Sequence, residues 1–240
     1  MKNKENMTVA EMVTENIKTA DVFKKNGIDF CCGGHISIKE VCAKKGIDFE
    51  QLYNELARID QPTSNGHKFD EWALDFLSDY IINTHHKYVA EANALIIQYS
   101  DKVAKVHGHH YKEVIEINEL FHALAEELQM HMRKEEMILF PYIKQLAMMQ
   151  RNEIPASPPP FGTIQNPIRM MEAEHDNAGD IIKKIASLSN NFTPPEEACN
   201  TYRALYAKLE EFQNDLFQHI HLENNILFPK AIKMESQIFN

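Results

Sequence analysis

Two stretches of the sequence repeat a spacing that suits metal chemistry. Residues 131–141 read HMRKEEMILFP and residues 219–229 read HIHLENNILFP, so both carry H-x-x-x-E-x-x-I-L-F-P. Residues four apart on a helix lie one turn apart on the same face. His131 therefore points with Glu135, and His219 with Glu223. The interval between these copies matches, to within one residue, the interval from His86 in IINTHHKYV to His175 in MMEAEHDNAG. The chain reads as duplicated halves, each offering one histidine from a first helix and a His-x-x-x-Glu pair from a second.

Two such pairs of helices facing each other bring four imidazoles and two carboxylates to one place. A His/carboxylate set in a bundle core is the layout of dinuclear iron or manganese proteins. The two glutamates would bridge two metals and the histidines would terminate them. Imidazole suits iron, zinc and copper, and carboxylate suits harder ions; the mixture favours a non-haem di-iron site over zinc, while manganese accepts the same ligands. Ligands free of cysteine argue against an iron–sulfur cluster here.

Other residues have weaker claims. Straight-helix spacing places His107 about 30 Å from His86 along one axis, so spacing alone reads it as a loop histidine with His109 and His110. His85, next to His86, points about 100° around the helix and is expected to be exposed or to support a ligand from behind. His122 and His221 fall on other faces, and His35 and His67 read as surface groups. Glu127, one turn before His131, and Glu174, beside His175, could support the ligands or line a polar path to the metals. Cys31 and Cys32 are adjacent beside Gly33 and Gly34. They are either accessible thiols for a metal, a thiol partner or nitric oxide, or small residues packed in a turn. Cys42 and Cys199 read as packing.

The elements that must position these groups are helical. Apolar residues recur at helical spacing through Val9, Met12, Val13, Ile17, Ala20, Val22 and Phe23, with Thr8 and Glu11 as a capping box and Gly27 as the stop. Ser37 caps IKEVCAKK, which Gly46 ends, and a further helix runs through FEQLYNELARI. Residues 61–68, QPTSNGHK, read as a linker. Four long helical patterns follow: about Asp70 into the 100s, Tyr111 to Met149, Thr163 to Ser189, and from Thr193 as N-cap with Pro194 at the first helical position to Met234. Pro141 and Pro229 should kink or end their helices just past the ligand motifs. Short connections make the four antiparallel, a bundle.

Composition agrees. The 240 residues suit one or two domains. A formal net charge of −10 argues against a nucleic-acid partner. With 8 glycines and 10 prolines the chain is too poor in turn residues for an all-β sandwich. There is no apolar run long enough for a membrane span and no signal-peptide core at MKNKENMTVAEMV, so a cytoplasmic protein is expected, with its four cysteines reduced.

Several segments resemble one family. ADVFKKNGIDFCCGGH is similar to the small Cys-Cys-Gly-Gly domain of the Repair of Iron Centers proteins. MHMRKEEMILFPYIK, MEAEHDNAG, TPPEEACNTY and HIHLENNILFPK resemble their hemerythrin-like domain. The match runs from about residue 8 to about 232. It implies an all-α protein: a small N-terminal helical domain over 1–60, a linker over 61–68, and a hemerythrin-like di-iron four-helix bundle over 69–236. Carried onto this sequence, it implies a centre of two iron ions, bridged by two glutamates, with ligands His86, His131, Glu135, His175, His219 and Glu223. His107, in AKVHG, is added as a further ligand candidate. Glu127 and Glu174 fall where the family has carboxylates near its site.

The implied function is repair of iron–sulfur clusters damaged by oxidative or nitrosative stress, by supply of iron from a labile di-iron site. Cys31 and Cys32 would assist the transfer. The partners are proteins with damaged clusters, with nitric oxide or oxygen as small ligands; a homodimer is compatible with the pattern. This favours an iron donor over a turnover enzyme. The alternatives are a nitric oxide-reducing di-iron enzyme, an oxygen or nitric oxide carrier or sensor, and a helical protein without metal.

Overall fold

The computed structural model describes residues 6–59 and 68–239. The expected linker, apart from Lys68, lies outside the described residues, as does His67. The protein is all-α; among the described residues the one β-bridge joins Thr8 and Ser37.

Four short helices come first: α1 (Val9–Glu15), α2 (Thr19–Lys25), α3 (Ile38–Lys45) and α4 (Phe49–Ile59). The capping box forms: Glu11 N–H donates to Thr8 Oγ1 at 3.1 Å, and Thr8 N–H to Glu11 Oε2 at 2.9 Å. The single helix expected up to Gly27 is broken at Asn16. Its backbone is extended, and its Oδ1 accepts from Lys18 N–H while its carbonyl accepts from Thr19 Oγ1. A short amide side chain competes with the helix for backbone groups. Gly27 and Gly46 stop α2 and α3 at φ of +63° and +66°, values open to glycine at little cost.

The rest forms four rods. The first is α5 (Leu74–Ile81), a π-turn over Ile82–His86, and α6 (Lys87–His107). The second is α7 (Glu113–Lys134), a π-turn over Glu135–Leu139, and α8 (Phe140–Gln150). The third is α9 (Gln165–Leu188), and the fourth is α10 (Asn200–Leu222), a π-turn over Glu223–Leu227, and α11 (Phe228–Phe239). The two prolines do not end their helices. Glu135 and Glu223 carbonyls accept from the N–H groups five residues on, at Phe140 and Phe228. The wider turn takes up the ring that would otherwise clash with the carbonyl four residues back.

The start expected at Thr193 moves to Asn200, with Cys199 at the N-cap. Pro195 pushes Pro194 out of helical geometry. The turn that results is closed by Arg203, whose guanidinium donates to the Ala198 and Glu196 carbonyls.

Buried apolar residues fall into two clusters. One fills the space among the four short N-terminal helices and continues into the bundle through Val89, Leu128, Ala178 and Leu216. The other holds Ile81, Leu139, Met171 and Leu227. On every rod the histidines and glutamates of the repeated motifs lie between residues of the two clusters, so a polar layer divides the core.

Candidate metal centre

Each rod delivers its share of this layer. His86 comes from the first, His131 and Glu135 from the second, His175 from the third, and His219 and Glu223 from the fourth. All six are buried, the glutamates at 0% exposure. Their ligand atoms form two groups, each gathered within 4.8 Å: His86, Glu135, His219 and Glu223, and His131, Glu135, His175 and Glu223. Both glutamates belong to both groups.

The Nε2 atoms face inward. His131 Nε2 lies 3.3 Å and His86 Nε2 3.4 Å from Glu135 Oε2. His175 Nε2 is 3.1 Å from Glu223 Oε2, and His219 Nε2 3.0 Å from Glu223 Oε1. His131 and His175 bring their Nε2 atoms 3.0 Å apart.

The Nδ1 atoms face outward to supports. His86 Nδ1 bonds Glu136 Oε1 at 2.9 Å, His131 Nδ1 bonds Glu174 Oε2 at 2.9 Å, and His175 Nδ1 bonds Asn224 Oδ1 at 2.7 Å. Lys134 holds the other oxygen of Glu174. A ligating histidine commonly gives its second nitrogen to such a partner, which fixes its tautomer and orientation.

The electrostatics are those of a packed ion cluster. Burial opposes charge on His86, but Glu135 and Glu223 outweigh it and raise the imidazole to about 10. Burial likewise opposes charge on His131, and Glu135 and Glu174 raise it to about 10. Burial disfavours both buried carboxylates too, yet the histidines hold Glu135 below its ordinary value and Glu223 well below. Hydrogen bonding from His131, opposed by burial and aided by Lys134, holds Glu174 at about 2. For His219 burial prevails over Glu223 and lowers the imidazole.

The residues fit a pair of cations. Among the described residues both oxygens of Glu135, Glu223 Oε2 and His86 Nε2 are buried without a hydrogen-bond partner. Buried polar atoms left so are costly, and a cation within each group would satisfy them. Imidazole nitrogen with carboxylate oxygen suits iron.

His107 is not brought to this layer. It closes α6 at the far end from His86, and its Nε2 lies 3.2 Å from Cys199 Sγ. The uninterrupted helix between them accounts for this. His122 is exposed and paired with Asp101, and His109 and His110 are exposed as well. Glu127 and Glu174 line an open cavity of about 660 Å³ that reaches His131 and Lys134. Asn177 Nδ2 donates to Glu127 at 2.6 Å.

The cysteine turn docks against the same layer. Cys32 Sγ lies 3.8 Å from the His175 carbonyl, and Asn225 Nδ2 donates to the Cys31 carbonyl at 3.0 Å. Phe30 packs on Phe217 and His221. The turn is tight: a Cβ on Gly34 would lie 2.5 Å from the Phe30 carbonyl oxygen. Asp29 accepts from both cysteine N–H groups and from Lys183. The bond to Cys32, burial and Asp29 push the Cys31 thiol well up.

Glu136, Asn224, Asp215 and the burial of His85 go beyond what the spacing of the motifs predicts. Glu136 and Asn224 directly follow the two repeated glutamates, so the repeat itself carried their signal. His85 was expected to be exposed or supporting; it is 2% exposed, turned inward by the π-turn, with Nδ1 2.9 Å from Asp215.

Comparison with known proteins agrees with this arrangement. Residues 77–231 match the family described as hemerythrin HHE cation binding domain, and residues 5–60 match the ScdA_N family, a domain of unknown function. The chain is 36% identical over 214 residues to the iron-sulfur cluster repair protein YtfE of Yersinia pseudotuberculosis serotype IB (strain PB1/+), covering 89% of this chain and 91% of that protein. It is 35% identical over 218 residues to the protein of the same name from Yersinia pestis (strain Pestoides F), covering 91% and 93%. The chain belongs to this family, the Repair of Iron Centers proteins with a hemerythrin HHE domain.

Proposed function

We propose that this member of the family repairs iron–sulfur clusters damaged by oxidative or nitrosative stress, supplying iron from a labile, carboxylate-bridged pair of ions. The observation that carries the reading is the pair of buried four-residue groups sharing both glutamates. His86 and His219 would hold one ion and His131 and His175 the other, with Glu135 and Glu223 available to both. The iron is cargo, the material a damaged cluster lacks.

The protein's own groups suit reversible loading. Without metal, His86 and His131 hold protons against the glutamates. A cation bound there would displace those protons, so His86 and His131 would balance the glutamates whenever the site is empty. Glu174 and Glu127 line the cavity beside His131 and supply an acidic path for a cation. Cys32, against the His175 carbonyl, offers a thiol at the edge of the layer, and we assign it and Cys31 a part in handing iron on. The recipients are proteins with damaged clusters, in the cytoplasm. Among the described residues no helix is long and apolar enough to cross a membrane.

The test is the metal content of protein purified without oxygen, beside a Glu135→Ala/Glu223→Ala control. About two irons per chain, absent from the control and transferable to a damaged cluster, are expected for a carboxylate-rich bundle site. A wild-type chain that takes up no iron after reconstitution with ferrous iron would overturn the reading.

A further inference from the structure

Three of the four histidines of the polar layer have an outer hydrogen-bond acceptor; His219 does not. Its Nδ1 is buried and, among the described residues, without a partner. The duplication shows where a support should come from. Glu136 and Asn224 follow the two repeated glutamates and hold His86 and His175, the first-helix histidines of their own halves. Glu174 directly precedes His175 and crosses to hold His131. The residue that directly precedes His86 is His85, so by the same exchange it should serve His219.

The structure places it there. The His85 ring lies parallel to His219, at an interplanar angle of 10° and a centroid distance of 5.7 Å. His85 belongs to neither group of ligand atoms. Its own orientation is fixed on two sides: Nδ1 bonds Asp215 Oδ1 at 2.9 Å, and Tyr80 packs edge-on at 5.8 Å. Asp215 thus secures His85 as Lys134 secures Glu174.

We infer that His85, held by Asp215, is the positioning residue for His219, aligning it by ring stacking where the other three histidines are aligned by hydrogen bonds. The inference rests on the metal-centre reading. Its consequence is selective: His219 serves only the group with His86, so loss of His85 disturbs one ion of the pair and leaves the His131–His175 ion in place.

The experiment is anaerobic titration of the full-length metal-free chain with ferrous iron, followed by Mössbauer spectroscopy of protein loaded with enriched iron. In His85→Ala and Asp215→Ala, one equivalent should bind as in wild type. The other should weaken by about tenfold or more, the usual effect of losing a support behind a ligand. The spectral change should be confined to one of two iron sites. His85→Phe, which keeps a flat ring, should recover most of the loss and guards against a folding defect in the alanine variant. Two equivalents bound as in wild type by His85→Ala, equal weakening of both, or no recovery in a folded His85→Phe chain would each overturn the assignment. A wild-type chain that binds no iron would remove its premise, and is recognised separately because it fails before any variant is compared.

Discussion

The two halves of the duplication place the same residue types in the same fold, yet they set their histidines differently. In the first half, His86 and His131 have a carboxylate on each nitrogen: Glu135 inward, and Glu136 or Glu174 outward. Both are raised to about 10. In the second half, His175 Nδ1 meets the neutral amide of Asn224, and among the described residues His219 Nδ1 has no hydrogen-bond partner, while its ring lies parallel to His85. Burial then wins at His219 and lowers it. The balance between burial and the carboxylates an imidazole faces sets the direction. His86 faces Glu135 and Glu223, His131 faces Glu135 and Glu174, and His219 faces Glu223 with His86 and His85 opposing it.

The strongest way to break the contrast is to remove a group that both halves need. Glu223→Gln leaves every histidine in place but takes a carboxylate from both ligand groups. It should abolish binding of both ions, read as iron per chain after anaerobic reconstitution. One tightly retained ion would mean that the groups do not share their glutamates.

Next come the outer supports. Glu174→Gln should weaken iron binding by about tenfold to a hundredfold, with His131 losing its outer anion. The converse change, Asn224→Asp, gives His175 the carboxylate that Glu136 gives His86. By putting a carboxylate behind His175, it should strengthen ferrous iron binding at the His131–His175 group in anaerobic titration and make the halves more alike.

A smaller effect comes from pH. His86 and His131 are raised from 6.5 to about 10 in the folded metal-free chain. The stability they contribute is full below about 6.5 and is lost as pH climbs through about 10. The melting temperature of metal-free protein should therefore fall between pH 7 and pH 10 from this source. Iron-loaded protein should lack this component, because loading has already displaced those protons. A metal-free chain whose melting temperature is flat across that range would contradict the proton-holding half. Least of all should His107→Ala matter: its iron content should equal that of wild type, since α6 carries His107 to the opposite end of the bundle.

Much of this architecture was legible in residue order. Four rods followed from helical periodicity, and the paired histidines and glutamates met because i,i+4 spacing survives any rigid packing of helices. Caps such as Thr8 and Ser37 were legible because their chemistry is local. What escaped were effects that need a partner or a changed pitch. Asn16 broke a continuous apolar pattern through its own short-range bonds. His85 turned inward because a π-turn altered the angle that straight-helix spacing assigns. Nothing in Cys31-Cys32 announced that the turn would rest on the His175 carbonyl, since that contact joins residues far apart in the chain.

The π-turns have a further consequence for how such a protein tolerates change. Each behaves as one surplus residue spliced into an otherwise regular helix, and here three of them sit where the polar layer meets the second apolar cluster. Excising Met137 would let the second rod close into an unbroken α-helix, because the π-turn holds one residue more than an α-turn needs. Leu139, Phe140, Ile143 and Leu146 would stay on the core beside His131 and Glu135, whereas the same deletion in a regular stretch of helix would turn them by about 100°. The rod works as a spliced shaft, and the splice lets the ligands and the hydrophobic packing each keep their own register.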